Sequence, residues 1–269
     1  MNDVEKITSR ENQRVVNARK VRDGKDTSLI FIEGRRLIDV AVRSAVLIDE
    51  CFYVDGFRDA ELLSAISVRT PKMAEIPERI FRSIADTNNS QGIILIAERP
   101  DYGAVTIEES LKSKSSALQL VLFLMEINNP SNLGAILRTA EATGVAGVVI
   151  SEKSADVYSP KSLRAAMGAS FRLPIWDRAG FDEILAWAKN WDLVSTAADV
   201  GATKSYTQID WSRPRLLIFG SEAHGLSESE LKSIDEHLKI PMDSVVESLN
   251  LAVSAGVILF EARRQTVSE

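Results

Sequence analysis

The chain has 269 residues, 45% hydrophobic and 26% charged, the balance of a globular protein with one large domain or two modest ones. A net charge of −6 argues against coating nucleic acid by bulk attraction. No run of about 18 apolar residues offers a membrane span, and the lone cysteine, Cys51, excludes an internal disulfide. The polar opening MNDVEKITSRENQR predicts no secretory signal, and the single buried-type cysteine points to a reducing, cytoplasmic location.

Residues 12–22 read as a short Arg-rich amphipathic helix. Residues 1–36 hold nine Lys or Arg against six Asp or Glu, a local balance of +3. That excess, with Arg14, Arg35 and Arg36 in it, suits phosphate contacts and equally suits a solvated helix face. A strand over 29–32 breaks at Glu33-Gly34. Leu37, Ile38, Ala41 and Val42 then make a helical stripe over 35–44. A strand over 50–54, a helix over 60–66, a short strand over 67–69, a helix over 77–84 and a strand over 93–97 complete an α/β layer. Residues 1–100 are thus expected to form one small domain. Residues 101–117, turn-like and then Ser/Lys-rich, read as a linker with one helical turn.

A second domain is expected over 118–269. It opens on the near-continuous apolar run 118–125, the pattern of a strand buried on both faces of a parallel sheet. The turn 128–132 leads into a helix over 133–143, which Gly144 stops. A strand over 148–150 follows. Ser159 and Pro160 then supply the cap and first residue of another helix. Next come a strand over 172–175, a helix over 181–190, strands over 193–197 and 215–219, and a helix over 228–234. A strand ending at 239–240 and a closing helix over 248–264 finish the chain.

Several chemistries lack their residues. No G-x-G-x-x-G follows a strand, no G-x-x-x-x-G-K-[ST] is present, and there is no G-x-S-x-G elbow. Two histidines and one cysteine leave no ordinary metal site. What remains are three polar turns at the ends of buried strands: 128–132, 220–225 and 241–250. Open α/β sheets bind ligands at those ends. Each residue there also has a plain structural reading. Asn132 and Ser248 serve as helix caps, Asn250 bonds its own backbone, Arg138 is an exposed helix arginine, and Glu222 and His224 are solvated loop residues. Small and polar residues crowding all three turns weigh against that reading for the set as a whole.

Asn129-Pro130-Ser131-Asn132-Leu133-Gly134-Ala135-Ile136-Leu137-Arg138-Thr139-Ala140 resembles the first motif of a known family. Gly220-Ser221-Glu222-Ala223-His224-Gly225-Leu226-Ser227 resembles its second. Ile240-Pro241-Met242 with Ser248-Leu249-Asn250-Leu251-Ala252-Val253-Ser254 resembles its third. This is the SpoU (TrmH) group of SPOUT RNA 2'-O-ribose methyltransferases. The resemblance covers about residues 118–264. Residues 1–100, best at Ile32-Glu33-Gly34-Arg35-Arg36-Leu37, resemble the small ribosomal-protein-like RNA-binding domain that precedes the catalytic domain in ribosomal RNA methylases.

The resemblance implies an α/β-knot domain with a parallel sheet and a deep trefoil knot, working as a homodimer. It implies S-adenosylmethionine as cofactor, held by main-chain groups around Gly220, Ile240 and Leu249 and by the turn at Thr196 and Ala197, with no metal. The acceptor would be a ribose 2'-hydroxyl. Arg138 and Asn132 would stand at the reacting centre, with Glu222, Ser248 and Asn250 in support. Arg14, Arg35 and Arg36 would touch RNA. The extra N-terminal domain favours ribosomal RNA over transfer RNA. The rival of another class is a non-catalytic RNA-binding or ribosome-assembly factor of the same fold.

Overall fold

The structure is a computed structural model and describes residues 4–101, 103–113, 116–243 and 245–266. It divides into two compact units, Met1–Asp101 with Val157–Phe171, and Tyr102–Asp156 with Arg172–Glu269.

The first unit carries β1 (Glu5–Lys6), α1 (Gln13–Arg22), β2 (Leu29–Glu33), α2 (Arg35–Arg43), β3 (Ile48–Val54), α3 (Ala60–Arg69), β4 (Met73–Ile76), α4 (Glu78–Ile84) and β5 (Ile93–Glu98). Its mixed sheet runs β1-β4-β3-β5-β2, with β5 antiparallel to both neighbours. Val15, Ala18 and Val21 of α1 and Ile80, Phe81 and Ile84 of α4 bury against Phe31, Phe52 and Ile94. Residues 67–69, expected as a strand, continue α3 instead. Leu62 and Ile66 are buried at i, i+4 spacing, and the Arg69 guanidinium reaches back to the Val46 carbonyl at 2.8 Å, so the helix keeps its last turn.

The remaining elements are α5 (Ala104–Ser113), β6 (Leu120–Leu124), α6 (Pro130–Thr143), β7 (Gly147–Ser151), α7 (Pro160–Ala166, counted with the first unit), β8 (Ile175–Ala179), α8 (Phe181–Asn190), β9 (Val194–Ala198), β10 (Lys204–Ser205), β11 (Arg215–Phe219), α9 (Glu228–Lys232), β12 (Glu236–Lys239) and α10 (Leu251–Thr266). The second unit's seven strands are all parallel, in the order β10-β12-β9-β11-β6-β7-β8. Every residue of β6 and β11 is buried, as continuous apolar runs in a helix-covered parallel sheet require. Within the stretch read as a linker, α5 is three turns long, because Ile107 and Leu111 join the second unit's core. Residues 102, 114 and 115 of that stretch lie outside the described residues. The strand expected over 172–175 starts only at Ile175, and Arg172 is taken up by a two-pronged pairing with Glu141.

This strand order positions the site. From β6 the chain steps outward through β7 and β8, then crosses to lay β9 and β10 on the other side. Then β11 enters between β9 and β6, and β12 between β9 and β10. Four neighbouring strands, β12-β9-β11-β6, therefore deliver their carboxyl-end turns side by side, at the point where the winding direction changes.

Candidate active site

Those four turns enclose an open pocket of about 710 Å³, within the size range of small-molecule sites. Gly220 shapes one wall. A Cβ there would overlap the backbone of Gly225 and Leu226, and the turn closes by paired hydrogen bonds between Ser221 and Gly225 at 3.0 and 2.9 Å. Gly225 takes φ +66, the left-handed conformation that closure needs.

A directed chain of hydrogen bonds ties three turns together. The Glu222 carboxylate only accepts, so it fixes the orientation of the Asn132 amide, whose Nδ2 donates to Oε1. Oδ1 of Asn132 must then accept, and does so from Nδ2 of Asn250 at 3.2 Å. That turns Oδ1 of Asn250 onto the backbone, where it accepts from Ala252 N at 2.9 Å and caps α10. The second Glu222 oxygen accepts from Asn129 N at 3.0 Å. Asn129 is the cap of α6, its Oδ1 accepting from Ser131 N at 2.9 Å. The cap expected at Asn132 thus falls to Asn129, and the one expected at Ser248 to Asn250. Asn250 bonds its own backbone as well as its neighbour.

Ser248, Leu249, Ile240 and Gly220 line the pocket beside Asn132, Glu222 and Asn250. Thr196 and Ala197 do not. Both are buried inside β9, and the Thr196 hydroxyl accepts from Arg215. The wall beyond β9 is formed by Ala198, Asp199 and Val200, because the strand ends one residue later than its apolar pattern suggested. Asp199 follows a buried strand as directly as the other three turns do, and that placement was the available signal for it. His224 is exposed on the pocket rim, with its N–H donating to Ser221 Oγ at 3.1 Å.

Arg138 stands elsewhere. It is exposed on α6, lines no part of the pocket, and makes no hydrogen bond or ion pair within the described residues. It lies six positions after Asn132, which on an α-helix sets the two side chains about 120° apart around the axis and about 9 Å apart along it, so they point from different faces.

In the first unit the three arginines also part company. Arg14 is folded onto Glu5 and Glu50 and lies over the Phe52 ring, so it belongs to the structure of the sheet. Burial pushes the Glu50 carboxyl up, and the Arg14 guanidinium works against that shift. Arg35 pairs with Asp59 at 2.6 Å, and that contact, after the bond Asp59 accepts from Leu62 N, holds the Asp59 carboxyl below its usual range. Arg36 is exposed with no partner in the described residues. Glu33, which sequence reasoning passed over, is buried and accepts from Asp86 N at 2.7 Å and Thr87 N at 3.2 Å, anchoring that loop. A lone Glu closing an apolar strand just before Gly34 was its only mark.

The donor set suits S-adenosylmethionine. The pocket combines apolar surface from Ile240, Met242 and Leu249 with irregular backbone at 240–243 and 247–250. Its carboxylates, Asp199, Glu222 and Glu247, outnumber its one lysine, Lys239, which favours a cationic ligand.

Comparison with known proteins agrees with this geometry. Residues 119–260 match the model of the SpoU rRNA Methylase family. The chain belongs to that family. Residues 12–95 match the MRM3-like substrate binding domain. An uncharacterized tRNA/rRNA methyltransferase of Synechocystis is 31% identical over 271 residues, covering 98% of this chain and 95% of its own. The 23S rRNA (guanosine(2553)-2'-O)-methyltransferase RlmP of Bacillus subtilis is 28% identical over 267 residues, covering 97% and 100%. Among solved structures, an AdoMet-bound rRNA methyltransferase from Sinorhizobium meliloti superposes with TM-score 0.82 at 26% identity, over 98% of this chain and 99% of that one. The SpoU methyltransferase AviRb from Streptomyces viridochromogenes, in complex with AdoMet, gives 0.82 at 27% identity, over 95% and 98%.

Proposed function

We propose that this SpoU-family chain methylates a ribose 2'-hydroxyl in ribosomal RNA, using S-adenosylmethionine. The observation that carries the reading is the pocket at the ends of β12, β9, β11 and β6, where the hydrogen-bonded set Glu222, Asn132 and Asn250 joins three turns around a cavity of cofactor size. Gly220, Ile240 and Leu249 would hold the cofactor, and when bound it supplies an electrophilic sulfonium methyl. The chain's own task is to hold an oxygen in line at about 3 Å, a positioning problem that needs no metal. Ribosomal RNA is favoured over transfer RNA by the substrate-binding-domain match over 12–95 and by relatives named for 23S rRNA.

Arg138 enters as a clamp. A guanidinium keeps its proton, so it cannot serve as the base, but its planar fork can grip a phosphate beside the reacting ribose. Since Arg138 faces away from its own chain's pocket, the arrangement supports a homodimer in which it faces the pocket of a second copy. Val253 and Phe260, 52% and 53% exposed and two turns apart on α10, give that copy an apolar stripe to cover on a helix packed against α6. The intact pocket also weighs against a purely RNA-binding assembly factor.

Mass spectrometry of ribose-methylated nucleotides tests the assignment. Ribosomal RNA from cells lacking this chain should lose one 2'-O-methyl group that returns on complementation. An unchanged ribosomal RNA profile with a lost transfer RNA methyl group would move the substrate.

A further inference from the structure

Glu126 follows β6 with φ +52, in the left-handed region that a side chain other than glycine or asparagine rarely occupies. It opens the loop that ends at Asn129, the cap of α6, whose first turn holds Asn132. Such a conformation persists only where neighbours over-determine it. Here the neighbours are two hydroxyls, one from the last residue of β7 and one from the turn after it. Glu126 N donates to Ser151 Oγ at 2.8 Å, and Ile127 N donates to Ser154 Oγ at 3.1 Å. The two hydroxyls contact each other at 3.1 Å. The same turn returns a bond from Ala155 N to the Ile127 carbonyl at 2.8 Å, and Lys153 Nζ sits 3.2 Å from Glu126 Oε1. On the other side, Met125 N is held by the Phe219 carbonyl at 2.9 Å.

We propose that Ser151 and Ser154 are positioning residues: they lock the Glu126–Ile127 backbone in its left-handed bend and so fix where Asn129 and Asn132 meet Glu222. The far end of the loop is already pinned by Glu222. Without the near end, the loop would turn about Glu126 toward extended backbone and carry Asn132 off its partners. Neither serine lines the pocket, so their effect on it passes through the loop. The inference rests on reading that pocket as the methyl-donor site.

The test uses the full chain with Ser151→Ala/Ser154→Ala, Ser154→Thr and Glu126→Gly. Four quantities are measured: S-adenosylmethionine affinity by calorimetry, methyl incorporation into unmodified ribosomal RNA transcript, affinity for the same transcript by filter binding, and Tm. The double-alanine variant should lose about tenfold in donor affinity and more in turnover, while transcript affinity stays within about twofold. Ser154→Thr keeps the hydroxyl and should restore most of the loss. Glu126→Gly suits the left-handed bend, so Tm should hold or rise, and added to the double-alanine variant it should recover part of the lost donor affinity, a rescue that a merely structural role for the serines would not give. Unchanged donor affinity and turnover in the double-alanine variant would overturn the inference. So would losses in every readout that follow Tm and are not restored by threonine. If the unsubstituted chain bound no donor, the reading of the pocket would fail and the inference with it, whereas bound donor with indifferent variants sinks the inference alone.

Discussion

Asn132 has both ends of its amide committed, one to Glu222 and one to Asn250. Those two bonds tie three of the pocket's turns to one another. Asn132→Asp replaces the donor with a second carboxylate against Glu222. Donor affinity should fall at least about fivefold near pH 8 and recover in part near pH 5, because two adjacent carboxylates share a proton more readily than one carboxyl holds it alone. A loss independent of pH, followed by calorimetry across that range, would show that charge repulsion is not the cause. Arg138 differs in kind, being exposed and, among the described residues, unpaired. Arg138→Lys keeps the charge and loses the fork, so turnover should drop about tenfold or more at unchanged donor affinity. Near-normal turnover in steady-state methylation assays would remove the need for two-pronged phosphate contact.

At the scale of elements, the pocket depends on β12 keeping its place in the sheet. Arg215, only 1% exposed, joins three pieces of chain. It donates to the Thr196 hydroxyl on β9 at 2.8 Å, to the Asp210 carbonyl at 2.9 Å, and to Glu236 on β12 at 3.0 Å. Beside it, Asp235 and Ser195 clip the same two strands, Ser195 Oγ donating at 2.6 Å. Arg215→Met would leave Glu236 and the Asp210 carbonyl without their donor and should cost about 3 kcal/mol of stability, read as a lower denaturant midpoint. A loss under about 1 kcal/mol would mean that water takes over those bonds.

The same elements explain what the sequence makes legible. Strands such as β6 and β11 announce themselves because burial on both faces demands an unbroken apolar run. Helices with a cap or a glycine stop, such as α6 ending at Gly144 with φ +77, are equally plain. Helix α5 was hidden because its burial rests on Ile107 and Leu111 alone among polar neighbours. The pocket turns could be read as a set, but the roles within them could not. Whether Asn129 or Asn132 caps α6 depends on Glu222, which lies 90 residues from Asn132 in sequence. The first unit's charge excess misled in a similar way, since composition counts Arg14 and Arg36 alike while folding neutralises one of them.

For the whole molecule, we propose that the first unit meets RNA and the second holds the methyl donor. Arg36→Glu should weaken binding of ribosomal RNA transcript about tenfold and lower its salt dependence, with donor affinity unchanged. Unchanged filter binding would move the footprint away from α2. The donor pocket itself is tested most directly by calorimetric titration of the purified chain with S-adenosylmethionine. One saturable site per chain is expected, abolished by Gly220→Ala, whose methyl group would force open the Ser221–Gly225 turn. Absence of binding heat from the unsubstituted chain, or a site that survives Gly220→Ala unchanged, would contradict it.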